Sequence, residues 1–243
     1  MLSSSLKLLL SCLVFLPAAV RAESIQLIIQ EFAPYGYTNT KTKEIQGYLT
    51  EKVQEIIKRA GDTSRITSTS LARGLQTART EANTCLLNLR RTADRENQFT
   101  WVGPLTSTDW VLYGRNSDEH ILKTLEDAKP FRIGSYKNSA TGLELAELGY
   151  KIEFAASDEE NPNLLMINRI DYWIVAEHRG MFIAQEQGYG TEISRVAKYK
   201  SFDLYMLCNK NMSQKKIEQL NRLNKEIEND GTMQKILRKY GIH

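Results

Sequence analysis

Glu177 and His178 stand side by side, a sequence-local carboxylate–imidazole pair that could move protons on a substrate. Arg95 lies between Asp94 and Glu96. It reads as a surface cation paired with one of them, although its planar fork would equally match the two oxygens of a carboxylate ligand. Ser139 precedes a helical segment, where its hydroxyl reads as an N-cap or as part of an anion site. Cys85 and Cys208 are either two buried thiols or one disulfide. His120, His178 and His243 are far apart, and neither a C-x-x-C motif nor a Cys/His cluster occurs. No metal and no cofactor are expected.

Composition narrows the classes. The 243 residues are 42% hydrophobic and 25% charged, with 14 Gly and 5 Pro, a globular balance. Formal charge is +3 and spread along the chain, which argues against a nucleic-acid partner. The one long apolar run, residues 6–20, is short and interrupted for a membrane span. Its start carries Lys7 and it ends in Val20-Arg21-Ala22, so residues 1–22 read as a secretory signal peptide. Leu9-Leu10-Ser11-Cys12 resembles a lipobox, the rival reading. A soluble, exported, monomeric protein is expected, with Cys85 and Cys208 in an oxidising compartment.

The elements that must position these residues alternate. Residues 25–30 (IQLIIQ), 66–71 and 85–89 read as strands. Between them, Leu49, Val53, Ile56, Ile57 and Ala60 recur at helical spacing before Gly61, and residues 72–80 form a short helix. Further strands are expected at 110–113, 132–135, 152–155, 172–175 and 204–208, and helices at 122–128, 142–148 and 164–167. Two amphipathic helices close the chain around a break at Asn229-Asp230-Gly231. The alternation predicts an α/β fold with a largely parallel sheet. Trp110 and Trp173 are expected in the core.

Several segments carry a family resemblance. Phe32-Ala33-Pro34-Tyr35 follows the first strand, and Gln46-Gly47-Tyr48 opens the first long helix. Thr92-Ala93-Asp94-Arg95 has the form T-x-x-R, and FTWVGPL covers residues 99–105. Ile133-Gly134-Ser135 with Asn138-Ser139, then Asn168-Arg169-Ile170-Asp171, then Lys210 and Asp230-Gly231-Thr232 complete the order. The whole chain after residue 22 resembles the periplasmic solute-binding proteins of polar amino-acid ABC transporters.

The resemblance implies a type II periplasmic-binding fold: two lobes joined by two hinge strands, closing on a ligand in the cleft. Lobe one would be residues 23–106 and 203–243, and lobe two residues 107–202. Arg95 matches the arginine that clamps a ligand carboxylate. Phe32 and Tyr48 match rings that sandwich the ligand, their other reading being core packing. Asn88 and Arg90 match the strand end facing the cleft, Arg90 as an unusual second cation. Thr92 would add a hydroxyl or cap a helix, and Ser139 would donate from the second lobe. Arg73 and Trp101 are further cleft candidates. The resemblance brings the strands of Cys85 and Cys208 side by side. The family's ammonium-binding acid falls at Ala176, with Glu177 adjacent, so an α-ammonium is not expected to be held in the usual way. The implied partners are a small carboxylate ligand and an inner-membrane permease, with no catalysis. The alternatives are a dehydratase-like enzyme using Glu177 and a stand-alone sensor.

Overall fold

The computed structural model describes residues 23–119, 122–137 and 139–242. The expected signal peptide and lipobox, Asn138, His120 and His243 lie outside the described residues. The first lobe begins with strand β1 (Ser24–Ile29), a short hairpin β2 (Tyr37–Thr38) and β3 (Ile45–Gln46), and helix α1 (Tyr48–Arg59). It continues through β4 (Thr63–Ser68), α2 (Leu71–Thr80), β5 (Thr84–Leu89) and the single turn α3 (Ala93–Glu96). The 17-residue strand β6 (Phe99–Arg115) then crosses into the second lobe.

That lobe holds β7 (Arg132–Tyr136), α4 (Ala140–Glu147), β8 (Lys151–Ala155), α5 (Asn161–Met166), β9 (Tyr172–Ala176) and α6 (Glu177–Glu186). A second 17-residue strand, β10 (Ile193–Asn209), returns to the first lobe, which α7 (Gln214–Asn229) and α8 (Thr232–Lys239) complete. The sheet runs β4-β1-β5-β10-β6-β9-β7-β8. Both lobes therefore share β6 and β10, paired antiparallel from Asn209↔Phe99 to Ile193↔Arg115. The expected short strands at 110–113 and 204–208 are parts of these two. The helix expected at 122–128 is a 3-10 turn over Leu125–Ala128.

Alternation in the strands explains the layers. In β1, Ile25, Leu27 and Ile29 bury into a core with Leu49, Val53, Ile56, Ile57 and Leu220, while Ile28 faces Ala78 and Leu86 on the α2 side. Helices thus cover both faces of the first lobe's sheet, as parallel strands require. In the second lobe Val111, Trp173 and Val175 pack toward Ile183, and Leu112, Ile133 and Ile174 toward Leu145.

Where the chain enters the hinge, Gly103-Pro104-Leu105 bulges out of β6, because Val102 pairs with Met206 and Thr106 with Leu204. The freed backbone groups find side-chain partners. Gly103 N–H donates to Asn221 (2.9 Å), Asn224 donates to Pro104 O (2.9 Å), and the buried Lys52 ammonium donates to Leu105 O and Glu228. Cys85 and Cys208, directly opposed on β5 and β10, form a disulfide. Among the described residues no helix is long and apolar enough to cross a membrane.

Candidate functional site

The parallel strands of each lobe end toward the other lobe, the usual place for a site in an open α/β sheet. β1 delivers Gln30, Glu31 and Phe32 there; β5 delivers Asn88, Leu89 and Arg90; β9 delivers Ala176. With Leu71, Arg95, Thr108, Trp110 and Leu204 they line a cleft of about 230 Å³.

Local structure explains the lobe-one wall. The turn after β1 closes on itself, Phe32 N–H donating to Gly36 O (2.8 Å) and Tyr35 N–H to Phe32 O (2.9 Å). Its carbonyls then cap α1: Tyr48 N–H donates to Pro34 O (3.0 Å), and Leu49 and Thr50 N–H to Tyr35 O (3.1 and 3.2 Å). These are the unpaired donors that every helix start presents. Gly47 makes the approach possible: its φ is +131°, and a Cβ there would lie 2.5 Å from Tyr35 O. The aromatic turn and the Gly47-Tyr48 step are thus one structural unit, and it holds Phe32 at the cleft.

Of the sequence candidates, four meet in the cleft: Phe32, Asn88, Arg90 and Arg95. Asn88 has φ +65°, and neither atom of its buried amide has a partner among the described residues. Arg90 stacks 3.8 Å from the centroid of Phe202, a hinge residue of β10. Burial pushes its pKa down, and the nearby charge of Arg95 acts in the same direction. Arg95 reaches Asp94 only at 3.9 Å, while Glu96 is taken by Arg91.

The other candidates stand elsewhere. Tyr48 is a core residue, not a cleft wall: its ring is fully buried, 4.9 Å from Tyr35, and its hydroxyl meets His178 Nδ1 at 3.1 Å. The start of a helix packed on β1 has no open side. Ser139 is fully buried and accepts the Gly142 N–H at 3.2 Å, a plain N-cap of α4. Thr92 occupies the N-cap position of α3 and is not on the cleft lining. Glu177 turns away to Arg195 (2.7 Å). It diverges from His178, which bonds Tyr48, so the sequence-adjacent pair does not converge on the cleft. Arg73 is exposed on α2.

Two tryptophans exchange expectations. Trp101 is buried against Tyr205, while Trp110 is half-buried on the cleft, edge-on to Phe202 at 6.4 Å. Trp173 is a core residue, as expected. Sequence reasoning missed Gln30, Glu31, Leu71, Leu89, Thr108 and Leu204. A signal existed for Gln30 and Glu31, the first polar residues after an apolar parallel strand. Thr108 and Leu204 had none, since the hinge strands were not seen as continuous.

The lobes also touch beside the cleft. Arg179 of α6 lies 4.6 Å from the Phe32 ring centroid and donates to Ala33 O at 3.4 Å, while ion-paired to Asp158 (2.7 Å) and Glu159 (2.8 Å). Burial pushes the Asp158 carboxyl up, with Arg179 opposing. A larger hollow of about 390 Å³ lies between residues 37–41 and α6, and Glu31 lines both it and the cleft. Among the described residues no group of three His, Cys, Asp or Glu could hold a metal.

Two α/β lobes on two shared strands, with guanidinium groups and rings at the strand ends between them, define a two-lobed binding protein of the periplasmic type. The chain belongs to the bacterial extracellular solute-binding proteins, family 3, whose model matches residues 26–243. Its fold is similar to that of a histidine kinase sensor domain resembling periplasmic binding proteins (TM-score 0.73, 18% identity, 89% of this chain and 95% of that one). It is similar also to an ancestral arginine-binding protein bound to arginine (0.71, 16%, 89% and 97%). A third likeness is to an ABC uptake transporter substrate-binding protein from Streptococcus pneumoniae with bound histidine (0.71, 14%, 89% and 92%). The comparison with curated proteins found no match.

Proposed function

We propose that this protein is a periplasmic receptor that captures a small carboxylate-bearing solute, an amino acid or a relative of one, and delivers it to an inner-membrane ABC permease. Lobe one is taken as residues 23–106 and 203–243 and lobe two as residues 107–202. Capture works by hinge closure on β6 and β10, without catalysis. The observation that carries the reading is the meeting of Arg90 and Arg95 with Phe32 and Asn88 in one interlobe cleft. Closure would exclude water and strengthen the guanidinium–carboxylate bonds. The test is a thermal-shift screen of the purified protein against amino acids and organic acids. A ligand at about 100 times its Kd adds about 2.7 kcal/mol of stability, a clear rise in Tm. Absence of any shift across both classes would overturn the reading.

The likeness to a kinase sensor domain favours one second reading, in which closure signals to a membrane receptor instead of loading a permease. Pull-down of the ligand-loaded protein with inner-membrane fractions separates the two by the protein captured.

A further inference from the structure

The charges on the cleft wall do not balance. Arg90 makes no ion pair and no hydrogen bond among the described residues; its guanidinium rests on Phe202. The acid that acts on it through space, Glu144, is already ion-paired to Lys200. Among the described residues the Arg95 guanidinium has only the long contact to Asp94, a carboxylate whose side chain is 76% exposed. Two guanidinium groups, one of them partly stripped of water, thus stand near each other without a neutralising anion. Each gains from an anion placed between the lobes.

Among the described residues Glu31 is the one carboxylate on the cleft lining. Its oxygens are already engaged: Oε2 accepts the Thr38 N–H (2.8 Å), and Oε1 accepts the hydroxyls of Thr38 (2.8 Å) and Ser68. These donors tie it to β2 and β4 of its own lobe. The remaining wall is mostly apolar: Phe32, Leu71, Leu89, Trp110, Ala176 and Leu204. An ammonium group brought here would lose its water and face two like charges, with the one carboxylate of the lining already accepting three hydrogen bonds within its own lobe.

We infer that the ligand is an organic anion without an ammonium group, its carboxylate held by Arg90 and Arg95 and its apolar body laid against Phe32 and Trp110. The inference rests on the proposed reading of this cleft as the ligand site. It separates deaminated acids from the amino acids that share their carbon skeleton.

The experiment is calorimetry at neutral pH with matched pairs: 3-phenylpropionate against L-phenylalanine, and glutarate against L-glutamate, followed by the remaining L-amino acids. The expected result is binding of the phenyl acid, with its amino partner weaker by about 100-fold or more. Arg90→Gln and Arg95→Gln should each remove that binding. Ala176→Asp should narrow the gap by at least about tenfold, because it supplies the missing anion. Position 176 suits Asp: it is the extended N-cap of α6. An amino acid binding as tightly as its deaminated partner would overturn the inference while leaving the solute-receptor reading standing. Loss of that amino-acid binding in Glu31→Gln would identify Glu31 as the ammonium acceptor. Binding of glutarate but not of the phenyl acid would overturn the apolar-body half. Binding of neither class would overturn the inference and the proposed function together.

Discussion

The hydroxyl of Tyr48 and Nδ1 of His178 meet at 3.1 Å, joining the first residue of α1 in one lobe to the first turn of α6 in the other. The imidazole is enclosed by the rings of Tyr35 (6.1 Å between centroids) and Tyr48 (5.7 Å). Burial holds its pKa below the ordinary 6.5, against the opposing pull of Glu177 and Asp109. In the window between the folded value and 6.5 the unfolded chain binds the extra proton. The contribution of His178 is therefore fully present above pH 6.5 and is lost as pH falls toward the folded value. Urea midpoints of wild type and His178→Gln, measured from pH 7.5 downward, should converge on acidification. Parallel curves would show that His178 does not titrate differently on folding.

Phe32 and Tyr48, only an aromatic turn apart in space, should behave oppositely. Phe32→Ala removes a cleft wall and should weaken ligand binding by about tenfold or more, the scale of a lost aromatic contact. Tyr48→Phe removes one buried hydrogen bond and should cost about 0.5–1.5 kcal/mol of stability with affinity unchanged. Calorimetry with chemical denaturation of both variants checks the split; an affinity loss in Tyr48→Phe would return that residue to the site.

Removing the Cys85–Cys208 link should be costly, because it ties β5 to β10 across 123 residues of chain. Cys85→Ser with Cys208→Ser should lower stability by about 2–4 kcal/mol, and reduction of the wild type should match it. A double variant as stable as the oxidised protein would show that the bond contributes nothing.

Lys52 is wholly buried, and burial lowers its pKa against the pull of Glu228. Its ammonium serves the Leu105 carbonyl at the hinge bulge and the half-exposed Glu228. Glu228→Ala should cost about 1–3 kcal/mol, below the usual cost of breaking a buried pair because Glu228 is partly in water. Lys52→Met with Glu228→Gln should recover part of that loss. A double-mutant cycle by urea denaturation measures the coupling, and additive effects would contradict a paired ammonium.

Much of the fold was legible along the chain. Strands such as 25–30 and 85–89 are short apolar runs, and α1 and α7 carry one apolar stripe each, so local pattern and structure agree. Helix α6 was missed because Met181, Phe182, Ile183 and Ala184 run consecutively and show no stripe. It packs against Tyr113, whose ring would lie 2.5 Å from a Cβ at Gly180. The 17-residue hinge strands were read as fragments because bulges at Arg195/Ala197, Lys198/Lys200 and Leu204/Met206 break their alternation.

The α/β class, the strands and helices with clear periodicity and the segment that carries Arg90 and Arg95 were readable along the chain, because periodicity, glycine stops and ordered motifs are local properties. Which side chains meet depends on long-range packing. Tyr48 went to the core and Trp110 to the cleft, and Ser139 and Glu177 were spent on a helix cap and an ion pair. An aromatic residue in a strand has the same local pattern whether its face meets a helix or the space between two lobes. That choice is made by residues far away in the chain.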